Sequence, residues 1–161
     1  MNVELFFVQS DDRAGLVGLI AERLTSPADA PGRQPDWGLE SSYDALLAKE
    51  PKRKVAVSPI QNGWIAAVES KEVLDFAMLQ GISERLGCEV VACQLANIAD
   101  SCGYARCCSG KLAEKKWLES DPDAVGTLRA YLRERSIPYD LLTFREVVKL
   151  RNTGWELVQR R

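Results

Sequence analysis

Residues 3–8, Val-Glu-Leu-Phe-Phe-Val, are apolar at nearly every position, which predicts a strand buried on both faces and central in a sheet. The period then changes. Leu16, Val17, Ile20 and Leu24 recur at helical spacing behind Ser10-Asp11-Asp12-Arg13, where Ser10 or Asp11 is the expected N-cap. Pro27, Pro31, Gly32 and Pro35 mark residues 25–38 as a long loop, and a short helix is expected over residues 43–47. Residues 54–60 and 64–69 predict a hairpin, because Asn62-Gly63 suits a type I′ turn, which needs positive φ at both central positions. Pro59 has no N–H to give a ladder, which assigns the first of these strands to an edge. The second, Trp64-Ile65-Ala66-Ala67-Val68, reads as central.

Ser70 is the expected cap of a helix over residues 71–86, with Leu74, Met78 and Ile82 inward and Gly87 ending it. A strand follows at residues 89–95, then a hairpin of residues 104–109 and 112–118 turning at Ser109-Gly110. Asp121-Pro122-Asp123 reads as N-cap, first-turn proline and first-turn acid, ahead of Ala124, Val125, Leu128, Tyr131 and Leu132 at helical spacing. A last helix is expected at residues 140–150 and a terminal strand at residues 155–158. The order over residues 3–95 is βαββαβ, the ferredoxin-like arrangement of two split βαβ units with both helices on one face of an antiparallel sheet. The later hairpin extends that sheet, and C-terminal helices cover the face left open. The expected fold is α+β, mainly antiparallel, in one domain over residues 1–161, with residues 121–161 either integral to it or an appended helical subdomain.

Composition narrows the function. Hydrophobic residues make up 46% and charged residues 27%, ordinary values for a folded domain, and the net charge of -2 gives a polyanion such as nucleic acid no basic face. The N-terminus lacks the basic start and long apolar run of a signal peptide, and no stretch is long enough to cross a bilayer. A cytoplasmic protein with reduced cysteines is expected, and an odd count of five cysteines agrees with that. The chain has no histidine, which removes every mechanism built on imidazole. No phosphate loop, dinucleotide fingerprint, nucleophile elbow or EF-hand spacing occurs, so no cofactor is expected.

The five cysteines run Cys88-x4-Cys93-x8-Cys102-x4-Cys107-Cys108. A structural zinc site brings thiolates in close Cys-x2-Cys pairs, and none is present. Cys107 and Cys108 should face opposite ways on their strand, while Cys93 and Cys107 could face one another across adjacent strands. Packing in the sheet core is the expected role. Cys102, in Asp100-Ser101-Cys102-Gly103, is the one candidate nucleophile, since glycine permits close approach there. Asp100 would raise its pKa and no base stands nearby. Asp11, Asp12 and Arg13 read as a helix start rather than a catalytic acid pair. Lys52-Arg53-Lys54 reads as charge protecting an unpaired sheet edge. Trp37, with Asp36 and Arg33, lies in the proline-rich loop off any periodic face, either folded back as a lid or serving as a partner-binding anchor. Trp64, Trp117 and Trp155 are expected to pack.

Asn62-Gly63-Trp64, the helix end Ile82-Ser83-Glu84-Arg85-Leu86, the Ser109-Gly110-Lys111 turn and Trp117 ahead of Asp121-Pro122-Asp123 resemble small stand-alone bacterial α+β proteins, some of which are similar to immunity proteins. The resemblance implies a protein that acts by binding and blocking another. It covers about a third of the chain, in structural punctuation rather than catalytic residues. The expected function is therefore non-catalytic protein binding, immunity-like or accessory, by a monomer or homodimer with no nucleic-acid or membrane partner. The alternative is a small-molecule sensor or thiol-dependent enzyme using residues 88–108.

Overall fold

β1 (Val3–Gln9) lies at the middle of a seven-stranded sheet, and its alternation puts Phe6 into one buried cluster and Phe7 into another on the opposite face. The computed structural model describes residues 3–25, 53–69, 74–96, 101–118, 121–139 and 154–159. The loop expected beyond Thr25 and the helices expected at residues 43–47 and 140–150 lie outside them. After β1 come α1 (Arg13–Thr25), β2 (Lys54–Val57), β3 (Trp64–Glu69), α2 (Phe76–Arg85), β4 (Glu89–Ala96), β5 (Ser101–Cys108), β6 (Lys111–Trp117), α3 (Ala124–Glu134) and β7 (Glu156–Gln159).

The sheet order is β6-β5-β4-β1-β3-β2-β7, and every neighbouring pair is antiparallel. The class is α+β with a mostly antiparallel open sheet. Leu16, Ile20 and Leu24 of α1 and Met78, Leu79 and Ile82 of α2 pack with Phe6, Val8, Ile65 and Val90 on one face. Ala124, Leu128, Tyr131 and Leu132 of α3 pack with Leu5, Phe7, Val91 and Cys93 on the other. Each such large apolar side chain contributes about 1.5–3 kcal/mol on full burial. Continuous apolar runs in β1 and β3 follow directly from being covered on both sides. No described helix is long and apolar enough to cross a membrane.

Three expectations about local structure change. β2 is not an edge, because β7 pairs along its outer side from Lys54↔Gln159 to Val57↔Glu156. Pro59 falls just beyond the ladder, where one extra residue lies between the Val57↔Ala67 pair and the Gln61↔Trp64 bridge that closes the Asn62-Gly63 turn. Of the helix expected over residues 71–86, the described part begins at Phe76, capped by Asp75 accepting from the Met78 amide at 3.0 Å, and the expected cap Ser70 lies outside the described residues. The caps of α1 and α3 stand later than their sequence suggested. Asp12 accepts from the Gly15 amide at 2.8 Å, and Asp123 from the Gly126 amide at 3.1 Å. Ser10 and Asp121 act one step back, accepting the amides of Asp12 and Asp123. In both, glycine three residues past the cap leaves room for the carboxylate: a Cβ would stand 2.2 Å from Asp12 Oδ2 or 2.0 Å from Asp123 Oδ2.

Beyond α3 the chain crosses back to the hairpin. Tyr139 stacks on Phe7 at 5.8 Å, and its hydroxyl lies 2.9 Å from Ser58 Oγ and 3.0 Å from the carbonyl oxygens of Pro59 and Trp64. This buried hydroxyl joins groups that also pair with one another or with backbone: Ser58 Oγ donates to the Pro59 carbonyl and accepts from the Ala66 amide, and the Trp64 carbonyl accepts from the Gln61 amide.

Candidate functional site

The hairpin of β5 and β6 forms one end of the sheet. Its turn, Ser109-Gly110, holds φ of 49° and 75°, the left-handed pair that matches the twist of its flanking strands. The ladder runs from Gly103↔Trp117 to Arg106↔Glu114 and then slips, so that Cys107 meets Leu112 and Ala113 is the extra residue of a bulge. Alternation sends Tyr104 and Arg106 to the α3 face, and Gly103 and Cys107 to the face of α1 and α2.

On the α3 face Glu114 is the centre of a polar network. The Tyr104 hydroxyl donates to its Oε1 at 2.9 Å and the Tyr131 hydroxyl to its Oε2 at 3.0 Å. Arg106 Nε and Arg135 Nη2 stand 3.5 and 3.7 Å from the same carboxylate, and both arginines also reach Glu89, at 3.2 and 3.7 Å. The Tyr104 and Tyr131 rings stack at 3.8 Å, and the Arg135 guanidinium lies 3.7 Å over Tyr131. Cys108 Sγ is 3.3 Å from Arg106 Nη1. Burial pulls the Glu114 carboxyl upward, but the hydrogen bonds from Tyr104 and Tyr131 and the charges of Arg135 and Arg106 outweigh it and hold it below the ordinary carboxylate range. Burial, then the bond to Glu114, raises both phenols, so they remain protonated donors. With paired charges and committed protons, the network clamps β6 to β5, β4 and the end of α3.

The opposite face of this edge carries Leu112, Lys115 and Trp117. The Trp117 ring lies over Gly103, where a Cβ would come within 2.2 Å of its Cε3. The space that glycine opens is therefore filled by tryptophan, and not by an approaching reactant. Lys115 Nζ stands 5.0 Å above the Phe76 ring at the start of α2. Leu112 and Trp117 remain 42% and 45% exposed, Trp117 packing on Gly103 with the rest of its ring outward, while Trp64 is buried and Trp155 packs against the α3-side core. Lys111, Lys115 and Lys116 give the strand its remaining charge.

A second polar cluster lies on the α1 and α2 face, at the far end of β3. Arg53 bonds Glu69 through Nε and Asp75 through Nη1 at 2.9 Å, and Arg23 Nε reaches Asp75 at 3.1 Å. Glu69 pairs in register with Glu4, and all three acids are buried. Arg53 is thus an internal counter-ion and not a solvated guard on an edge. The change follows from β7 covering β2 and from α2 bringing Asp75 over the sheet.

The five cysteines are free thiols. Cys93 and Cys102 belong to the α3-side core and Cys107 to the other, so Cys93 and Cys107 do not face each other: the register sets Cys93 opposite Tyr104 and Cys107 opposite Val90. Cys107 and Cys108 do point opposite ways. Cys102 sits inside β5, 1% exposed, and burial with the charge of Asp121 raises its thiol. Burial raises Cys93 as well, and pushes Cys88 up to about 11. Among the described residues no group of three His, Cys, Asp or Glu side chains is placed to hold a metal ion. Trp37, Asp36 and Arg33 lie outside the described residues. Two shallow grooves, of about 220 Å³ between α1 and α2 and about 240 Å³ beside the end of α3, are smaller than ordinary ligand pockets. The Glu114 network went unread in the sequence because its members come from β4, β5, β6 and α3, and only strand register joins them.

The fold and this edge define an α+β protein with an open antiparallel sheet and a braced, partly apolar end strand. No protein-family model, curated protein or solved structure matches the chain.

Proposed function

We propose that the protein acts by binding another protein, in an immunity-like or accessory role, and that the outer side of β6 is where it docks. One observation carries this reading: among the described residues β6 ends the sheet with Leu112 and Trp117 half exposed on one face, while the Glu114 network fixes the strand from the other. An edge held rigid before encounter loses little freedom on binding, and a half-buried tryptophan is a frequent energetic anchor. The order β4-β1-β3-β2 within the sheet, with α1 and α2 on one face, supports a ferredoxin-like core to which β5, β6 and β7 are additions. Five free thiols suit a reducing, cytoplasmic setting. Thiol chemistry at Cys102 gains no support from a buried side chain with a raised pKa. In-cell photo-crosslinking tests the docking site. Photoreactive residues at positions 112 and 117 should each trap one discrete protein, and the same residue at Arg133 on α3 should not. No adduct from 112 and 117 would end the proposal.

A further inference from the structure

The charge on β6 narrows the partner. Of its four ionisable side chains, Glu114 is engaged by Tyr104, Tyr131, Arg106 and Arg135, while Lys111, Lys115 and Lys116 are exposed and outnumber Asp121, an acid whose carboxyl feels the charge of Lys116. This edge is basic on a chain whose net charge is -2. In register, Lys111 and Lys116 flank the α3 face, and Leu112, Lys115 and Trp117 flank the other. We infer that β6 receives an acidic extended segment of another protein, which adds to the sheet as an outer strand; this rests on the docking reading above. Backbone pairing would supply the attachment, and alternate side chains the selectivity: apolar residues beside Leu112 and Trp117, acids beside the lysines. Lysines also guard edges against unwanted strands, but that role repels basic segments and leaves acidic ones attracted.

The test is an amide-resolved NMR titration of the full chain with a capped peptide of about eight residues, an ordinary strand length, alternating valine and glutamate. Shifts and added exchange protection should centre on residues 111–117, and affinity should fall as salt rises from about 0.05 to about 0.5 M. The lysine-for-glutamate peptide should bind at least about tenfold more weakly. So should a glutamate peptide N-methylated on the amides that would face β6, which leaves its side chains and the protein unaltered. The variant K111E/K115E/K116E should reverse the preference between the two charged peptides. Equal binding of the two charged peptides, or undiminished binding of the methylated one, overturns the inference. Crosslinks at 112 and 117 together with no binding of the acidic peptide would remove this inference and leave protein docking standing; absence of both removes both.

Discussion

Trp117 covers Gly103 across the β5–β6 pair, and the ring occupies the volume that any side chain at 103 would need. Glycine inside a strand ordinarily weakens it, and an aromatic laid over it restores contact. Gly103→Ala, usually favourable in a strand, should here destabilise by about 1–2 kcal/mol, because it drives the ring from its seat. In a Trp117→Ala background the same change should be neutral or stabilising. Urea unfolding of the four members of this cycle reads the coupling, and a coupling near zero would show that the ring and Gly103 are independent.

Arg53 ties Glu69 to Asp75, and both acids are shielded from water. Arg53→Met should lower stability by about 3–5 kcal/mol, since it removes charge from a buried group of acids. Arg53→Lys should recover only part of that, because an ammonium cannot present the forked geometry that meets two carboxylates. Equal stability of the methionine and lysine variants would show that the aliphatic stem, and not the charge, does the stabilising.

How much of this was legible in the chain depends on the range of each interaction. The Asn62-Gly63 and Ser109-Gly110 turns and the strands of β1 and β3 announce themselves, since turn geometry and alternation are local. The helix starts were visible but displaced, because Ser10 and Asp121 support the caps at Asp12 and Asp123 instead of capping. Pro59 suggested an edge, and only the distant β7, pairing Val55 with Val158, shows otherwise. The facing of Cys93 and Cys107 depended on register, which five thiols in a row of strands do not reveal. The Glu114 network lay further off still, since Glu89 and Arg135 meet only after α3 folds over the sheet.

Glu114 and Asp75 also set the response to acid. Burial pulls each carboxyl up, but hydrogen bonds and guanidinium charges more than offset it, so both lie below their ordinary values of 4.5 and 3.8. As pH falls the unfolded chain therefore takes up protons first. The stabilisation is complete at neutral pH, begins to fall below about pH 4.5, and is lost as the folded-state values are passed. Glu114→Gln should reduce the slope of stability against pH in this acid window, and also loosen β6, seen as faster amide exchange at residues 111–117. An unchanged slope would mean that Glu114 titrates alike in both states.

The thiols should divide by environment. Cys93, Cys102 and Cys107 are buried and raised, and Cys88, though half-buried, is pushed up to about 11, so little thiolate exists on any of them near neutral pH. Cys108 is only half-buried, its Sγ 3.3 Å from Arg106 Nη1 and 3.7 Å from Glu89 Oε2. A disulfide reagent applied to the native protein should therefore modify Cys108 first, with the other four reacting on unfolding. Peptide mapping of the partly labelled protein identifies the order. Faster labelling of Cys102 than of Cys108 would contradict the burial argument and return Cys102 to consideration as a reactive thiol.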